Sequence, residues 1–430
     1  MTLAYTSPQF IQIEHQQIRW HSEAGLPAPK RVQRIDDTMS ADVAYRLACE
    51  GTALLWQGDF QGARQMLAAM TRRLEAQQKE KTKKIAKNAA KNLVENLVEN
   101  LAEKTGNQAE SKTAESLFNL HRQRLGQRAR VLNCLLISMR GDHSVALKRA
   151  PDAVAAVKAA VTETVTTTVD ITENSDYVLT LRELLGMIGA YEWRKAGVAI
   201  AALDGRHIHA HYGVFAPLRA EYLHLVATAP LPKSVTSFIG TTGSLAYDIG
   251  TGTGVLAAIL ATRGMAKIIA TDTAPRALVC ATENITNLGL ADKVTVLNAH
   301  LFPEASATGQ IGLKKADLIV CNPPWIPARP SSPLESAVYD PDSQMLRGFL
   351  AGAGAHLSAD GEAWLILSDL AEHLHLRSRA ELLGWINDAG LKVLGRQDAK
   401  PNHPKVIDES DFLHAARKAE TTSLWRLGIC

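Results

Sequence analysis

Two short stretches of this sequence carry residue types that do chemistry only in combination. One is Asn322-Pro323-Pro324-Trp325; the other, upstream, is Asp248-Ile249-Gly250-Thr251-Gly252-Thr253-Gly254. An amino group on an aromatic ring or an amide is a poor nucleophile, because its lone pair is delocalised. The side-chain oxygen of Asn322 can accept one of its N–H groups and the Pro323 carbonyl the other. Two such acceptors hold the nitrogen and stabilise the positive charge that develops as it attacks. Pro323 and Pro324 fix φ and stiffen the loop, so positioning costs little at the moment of reaction. Trp325 offers a π face on which a base or a planar amide can stack. Taken alone, the same four residues also fit a proline-rich turn after a strand.

The glycine stretch sits between a predicted strand and a predicted helix. Leu245–Ile249 is a short apolar run ending near an acid, and Val255–Thr262 reads as a helix that stops near Gly264. Glycines at 250, 252 and 254 permit positive φ and close approach of a ligand to bare backbone. Their spacing differs from the dinucleotide fingerprint, and Asp248 would repel a diphosphate. A nucleoside-bearing cofactor with an ammonium at its other end would be attracted. Lys267–Asp272 reads as the next strand. An acid at its end accepts ribose hydroxyls in such sheets, although Asp272 also fits a cap for the helical run after Pro275. Ala316–Cys321 reads as a core strand, which puts Asn322 at the same edge of the sheet as the glycines.

These residues resemble the class I S-adenosylmethionine-dependent methyltransferases, specifically amino-methyltransferases with an (Asn/Asp)-Pro-Pro-aromatic motif. The resemblance covers about residues 213–430. It implies S-adenosyl-L-methionine as cofactor, with Asp248, Gly250, Thr251, Gly252 and Gly254 at its methionine part, Asp272 at its ribose, and Asn322 beside it. It implies Asn322, Pro323, Pro324 and Trp325 as the catalytic clamp on the target amine. Family members often carry an acid near the end of strand three, toward adenine. Here that place reads Ala299-His300-Leu301-Phe302, so His300 would substitute through a ring nitrogen, or the backbone would serve instead; His300 fits a surface-loop histidine equally well. The implied fold is α/β, a Rossmann-like doubly wound seven-stranded sheet.

The amino-terminal half reads differently. Residues 1–37 look irregular. Residues 38–195 read as a mainly helical, substrate-binding domain, with helices near Ala44–Trp56 (interrupted at Gly51), Ala63–Leu74, Ala114–Leu125, Arg128–Ser138 and Thr180–Lys195. Residues 77–112 form a low-complexity Lys/Asn-rich insertion: Lys79 to Lys91, then a tetrapeptide repeated with Leu93, Leu97 and Leu101. It fits an exposed extension of a helical hairpin or a partly disordered insertion. The β-branched run at 161–173 fits strand or helix. A hairpin with an Asp204-Gly205 turn at 196–214 links to the catalytic domain at 215–430. This layout, with Pro217, Arg219 and Glu221, loosely resembles the release-factor glutamine methyltransferases, but the Thr of their segment is absent and Glu221 is shifted by one. Glutamine specificity is therefore not carried over.

At 430 residues the chain can bury two cores. Its net charge of +3 argues neither for nor against a nucleic-acid partner. The five cysteines (Cys49, Cys134, Cys280, Cys321, Cys430) form no C-x-x-C pair, so neither a zinc site nor a disulfide framework is indicated. Cys321, beside the clamp, fits a small residue finishing a buried strand better than a nucleophile. His207, His209 and His211 alternate on one strand face without a distant third ligand, so no metal is expected. The amino-terminus has no secretory pattern and no apolar run spans a bilayer, so a cytoplasmic location without membrane contact is expected. A basic cluster, Arg122, Arg124, Arg128, Arg130, Arg140, Lys148 and Arg149, fits phosphate binding or a solvated helix face.

The sequence thus points first to N-methylation of a nucleobase, adenine or guanine, in RNA, with ribosomal RNA a plausible partner. Protein-glutamine methylation of release-factor or ribosomal-protein type is the alternative. A non-catalytic binding protein that keeps the cofactor fold is the third reading, and the intact clamp argues against it. All three candidate acceptors offer a planar NH2, so residue types alone do not separate them.

Overall fold

The structure is a computed structural model that describes residues 9–99, 106–162, 175–236, 243–304, 315–330, 335–401 and 413–430. They divide into two compact units, the first ending at Gly189 and the second running from Ala190 to Cys430.

The first unit is α/β rather than mainly helical. It contains β1 (Gln9–Ile13), β2 (Gln16–Trp20), β3 (Val32–Ile35), α1 (Ala41–Cys49), β4 (Ala53–Trp56), α2 (Phe60–Glu99), α3 (Gly106–Leu132), β5 (Leu135–Met139), α4 (Val154–Thr162), β6 (Tyr177–Thr180) and the start of α5 (Leu181–Ala196). The strands form one sheet in the order β1-β2-β6-β5-β4-β3. Three expectations are corrected here. Residues 1–37 hold three strands among those described. The helix expected to run on to Trp56 ends at Cys49, and the one expected to reach Ser138 ends at Leu132. In each case a fully or almost fully buried run of four or five residues, apolar apart from Ser138, follows and forms a central strand. A run that short has no period of its own, so burial on both faces decides. Most of the Lys/Asn-rich stretch is helical backbone, within α2 and α3, while Leu101 and the β-branched run after Thr162 lie outside the described residues.

The second unit opens with β7 (Val198–Ala199) and β8 (His207–Ile208), a minimal antiparallel pair. Asp204 and Gly205 turn between them, both with positive φ, as an Asp-Gly turn requires. There follow α6 (Ala220–Thr228), α7 (Lys233–Thr236), β9 (Leu245–Ile249), α8 (Val255–Thr262), β10 (Lys267–Asp272), α9 (Pro275–Asn287), β11 (Val294–Asn298), β12 (Ala316–Cys321), α10 (Gln344–His356), β13 (Leu357–Ser368), α11 (Leu370–His373), α12 (Arg379–Asp388), β14 (Leu391–Ala399), α13 (His414–Ala419) and β15 (Thr422–Ile429). Seven strands lie in the order β11-β10-β9-β12-β13-β15-β14, with β15 antiparallel to both its neighbours. This is the doubly wound sheet expected from the glycine loop.

Both faces of the central strands are covered, and the side chains alternate between two cores. Ala246, Leu318, Val320, Trp364 and Ile366 face one; Tyr247, Ile249, Ile319, Cys321, Leu365 and Leu367 face the other. That is why these strands read as unbroken apolar runs. Helix α8 is buried from Val255 to Ala261 and packs in the first of these cores.

Asn284 of α9 ties the linking segment to the glycine loop. It is buried; its Nδ2 donates to the carbonyls of His209 (3.2 Å) and Thr253 (3.1 Å), and its Oδ1 accepts the His209 N–H (2.8 Å). Asn284→Ala strands all three backbone groups. It should lower stability by about 2–4 kcal/mol, read as a drop in the urea midpoint. A loss below half a kcal/mol would mean that water or neighbours satisfy them.

Candidate functional site

β9 and β12 are hydrogen-bonded neighbours whose registers pair Val320 with Asp248 and Cys321 with Ile249. The chain passes from β9 through α8 to β10 on one side, while β12 lies on the other. The crevice between the carboxyl ends of β9 and β12 is therefore a topological switch point, where open α/β sheets bind ligands. The glycine turn and the Asn322–Trp325 loop leave from the two sides of that crevice, level with each other.

Gly250, Gly252 and Gly254 have φ of +73°, +55° and +80°. Each glycine does different work. A Cβ on Gly254 would stand 3.3 Å from the Ala281 backbone, a tight contact that α9 would have to relieve by a small shift. A Cβ on Gly250 would meet the Met345 Cε at 2.5 Å. A Cβ on Gly252 would meet nothing within 4 Å, so this glycine faces open space. The turn is held by Thr271, whose carbonyl accepts the N–H groups of Gly250 and Thr251, both at 2.9 Å.

Asp248 is completely buried. Its Oδ2 accepts from Thr251 Oγ1 (2.6 Å) and from the Ala257 N–H in the first turn of α8 (3.1 Å). It thus braces the glycine turn and caps the helix from a distance. Its Oδ1 is buried without a hydrogen-bond partner. Burial pushes the carboxyl up to about 6; the bonds from Thr251 and Ala257 oppose this, and the nearby Asp272 charge adds to it. At neutral pH most of it still carries a negative charge.

Asp272 ends β10 and is half-buried. Its Oδ2 accepts the Gly252 N–H (3.0 Å) and its Oδ1 the Ala274 N–H (2.9 Å). It therefore orients the glycine turn and turns the chain just ahead of α9, which has no side-chain cap. His300 is exposed two residues beyond β11, just before Leu301 in left-handed backbone. Thr271 Oγ1 donates to the Leu301 carbonyl at 2.6 Å, tying that turn to the end of β10.

The clamp residues sit at the end of β12. Asn322, Pro324 and Trp325 are half-buried and Pro323 is buried. The Trp325 Nε1–H donates to Asn322 Oδ1 at 2.9 Å. Arg219 lies over the Trp325 ring, its guanidinium carbon 4.4 Å from the ring centroid. Arg219 thus covers one face of the indole, and the half-buried ring also packs against the edges of both cores. Sequence reasoning did not single out Arg219 for this place, although it noticed the Pro217–Glu221 segment. It also missed Asp340. This buried acid accepts the N–H groups of Met345 (2.9 Å) and Leu346 (3.1 Å), starts α10, and thereby sets Met345 against Gly250. Burial raises its carboxyl above the usual range while those backbone bonds pull it down.

The remaining candidate residues lie elsewhere. Cys321 is buried and its thiol is pushed well above its ordinary value by burial, then by Asp248 and Asp340, which suits packing and not nucleophilic attack. His209 bonds the Arg194 carbonyl (2.7 Å) and His211 the Glu283 carboxylate (3.0 Å); no three metal-ligating groups gather among the described residues. In the first unit Arg128 pairs with Glu75 (2.7 Å), Arg149 with Asp59, and Arg140 bonds Ser144 and Val145 of its own loop. No helix among the described residues is long and apolar enough to cross a membrane.

Comparison with known proteins agrees with this geometry. Residues 207–378 match the family model of the methyltransferase small domain. The chain is 34% identical to a release factor glutamine methyltransferase of Cereibacter sphaeroides, over 27% of this chain and 44% of that one. It is 33% identical to a tRNA1(Val) (adenine(37)-N6)-methyltransferase of Pedobacter heparinus, over 37% of this chain and 64% of that one. Among solved structures it is similar to TrmN from Thermus thermophilus, with 19% identity, a TM-score of 0.29, and coverage of 49% and 47% of the two chains. The chain spans about half the length of the curated relatives it matches.

The residues at the crevice fit S-adenosylmethionine, the cofactor of this class of domain. The space over Gly252 is open, the turn is bare backbone, and acids stand on both sides of it. Gly252→Val should fill that space and abolish cofactor binding in calorimetry; micromolar affinity retained in a folded variant would move the cofactor elsewhere. Asp248 carries a pH signature. Its folded value lies above its unfolded 3.8, so its contribution to stability is complete below about pH 4 and lost as pH rises through about 6. Relative to Asp248→Asn, the parent should lose on the order of 2–3 kcal/mol between pH 4 and 7. A difference in urea stability that does not change with pH would show that the acid is not strained by burial.

Proposed function

We propose that this chain, whose residues 207–378 form a methyltransferase small domain of the class I S-adenosylmethionine-dependent type, methylates a planar amino nitrogen, that of adenine or guanine in an RNA before any other. The observation that carries the reading is the level pairing of Asn322 with the glycine turn across the β9–β12 crevice. Bound over Gly252, the cofactor supplies an electrophilic methyl group. The chain supplies the rest. The Asn322 oxygen and the Pro323 carbonyl accept the two amine N–H groups, and both become better partners as positive charge grows on nitrogen. The exposed part of the half-buried Trp325 would receive the ring or amide plane, and the stiff proline loop keeps the nitrogen aimed at the glycine turn.

Supporting a nucleobase is the tRNA adenine methyltransferase of Pedobacter heparinus, of which the chain covers a larger share than of the glutamine methyltransferase of Cereibacter sphaeroides. One observation favours a protein glutamine instead. Two of the seven basic side chains, Arg128 and Arg149, are already paired with acids, which reduces what that cluster offers to phosphates.

Tritium transfer from labelled S-adenosylmethionine to fractionated RNA and protein of cells lacking this chain decides between the two. Label in RNA supports the first reading, label in protein the second, and label in neither overturns both. With the acceptor known, Asn322→Ala should lower turnover about 10²–10³-fold with cofactor affinity unchanged. Unchanged single-turnover rates would reduce the motif to a turn. For an RNA acceptor, neutralising Arg124, Arg128 and Arg130 together should flatten the salt dependence, whose slope is about −0.7 per phosphate contact on a single strand. The triple variant should raise the Michaelis constant and leave saturated turnover alone; a slope equal to the parent's removes the cluster from RNA binding.

A further inference from the structure

Building on the methyl-transfer reading, we infer that Arg219 is the positioning residue of the amine clamp: it holds Trp325 flat, and Trp325 fixes which end of the Asn322 amide faces the acceptor. An asparagine amide has two nearly isosteric ends, one acceptor and one donor. With the NH2 end toward the acceptor amine, N–H would oppose N–H and the clamp would repel what it must hold. An indole N–H can only donate. Its partner at 2.9 Å is therefore the amide oxygen, and the amide is locked with Oδ1 on that side. That oxygen has two lone pairs, so one remains for an N–H of the incoming amine.

The lock works only if the indole itself cannot swing. Arg219 prevents this by lying over the ring, and Arg219 is in turn unusually well anchored. Its two terminal nitrogens donate to Oε1 of the fully buried Glu420, both at 3.0 Å, and Nη2 also reaches Thr422 Oγ1 at 3.3 Å. Its Nε donates to Glu221. Glu420 is pinned by Ser368 Oγ at 2.6 Å, whose oxygen accepts the Leu370 N–H at 3.0 Å. Ser368 ends β13 and Thr422 begins β15. A polar strut therefore runs from the ends of β13 and β15, through Arg219, to the loop after β12. A lysine would keep the charge beside Glu420 but not the flat, forked contact with both the ring and the carboxylate.

The test reads the indole proton directly in the full chain. The seven tryptophans give seven ¹⁵N-indole resonances, and Trp325→Phe identifies the one that matters. In Arg219→Lys that resonance should move toward its position in Asn322→Ala, and its proton should exchange with solvent about tenfold faster. The other resonances should stay in place, reporting an intact fold. Because a neutral residue at 219 would leave the buried Glu420 without its charge partner, the double variant Arg219→Met/Glu420→Gln provides a second, charge-balanced form with the same expected shift. With the acceptor in hand, Arg219→Lys should lower kcat about tenfold while the affinity for S-adenosylmethionine stays at the parental value. A Trp325 resonance unchanged in both variants overturns the inference, and so does a shifted resonance with parental kcat. If the parent methylates nothing, the methyl-transfer reading fails, whereas the resonance still tells whether Arg219 holds Trp325.

Discussion

The parallel pairing of β9 with β12 is the constraint on which the candidate site depends. Cys321 is opposite Ile249, so the next residues out of the sheet are Asn322 and Gly250. A rigid polar loop and a bare backbone turn thus leave two neighbouring strands at one level. A slip of one residue would exchange the two buried faces of β12 and send Ile319 and Cys321 into the core that now holds Leu318 and Val320. Packing on both sides of the sheet therefore fixes the distance between the two chemical elements, and no side chain of the site has to do so.

On the β10 side, acids organise the crevice by binding backbone. Asp272 accepts the Gly252 and Ala274 N–H groups, and Asp248 accepts from Thr251 and the first turn of α8. Each carboxylate stiffens the turn and neutralises the positive end of a helix. Burial makes this costly for Asp248, whose carboxyl is pushed up to about 6 and whose Oδ1 is buried without a hydrogen-bond partner. On the opposite side the organisation comes from Arg219, Glu420 and Ser368, and from Asp340 at the start of α10. These groups are gathered from positions up to about two hundred residues apart in the sequence, and they converge because β13, the neighbour of β12, ends where the antiparallel β15 begins.

Local patterns carried the catalytic half well. The apolar runs at 245–249, 267–272 and 316–321 are strands, and the glycine turn has the positive φ that its spacing anticipated. The amino-terminal half was read less well. Ala53–Trp56 and Leu135–Met139 look like tails of the helices before them, yet both are central strands. Four or five apolar residues fit one turn of a buried helix as easily as a buried strand, and the partners that decide, such as β4 for β5, lie some eighty residues away.

What the sequence by itself determined is the inventory and the local geometry: a glycine turn, an acid before it and an acid on the next strand, and a stiff Asn-Pro-Pro-Trp loop after a core strand. Those follow from φ restrictions and apolar periodicity, which act over a few residues. Only the tertiary structure decided how the inventory is held: that Asp248 is buried and strained, that Met345 closes on Gly250, and that Arg219 covers one face of Trp325 while Trp325 occupies one lone pair of Asn322. Burial and side-chain pairing depend on which distant strands become neighbours. That is set by the packing of the whole sheet, and no short stretch of sequence encodes it.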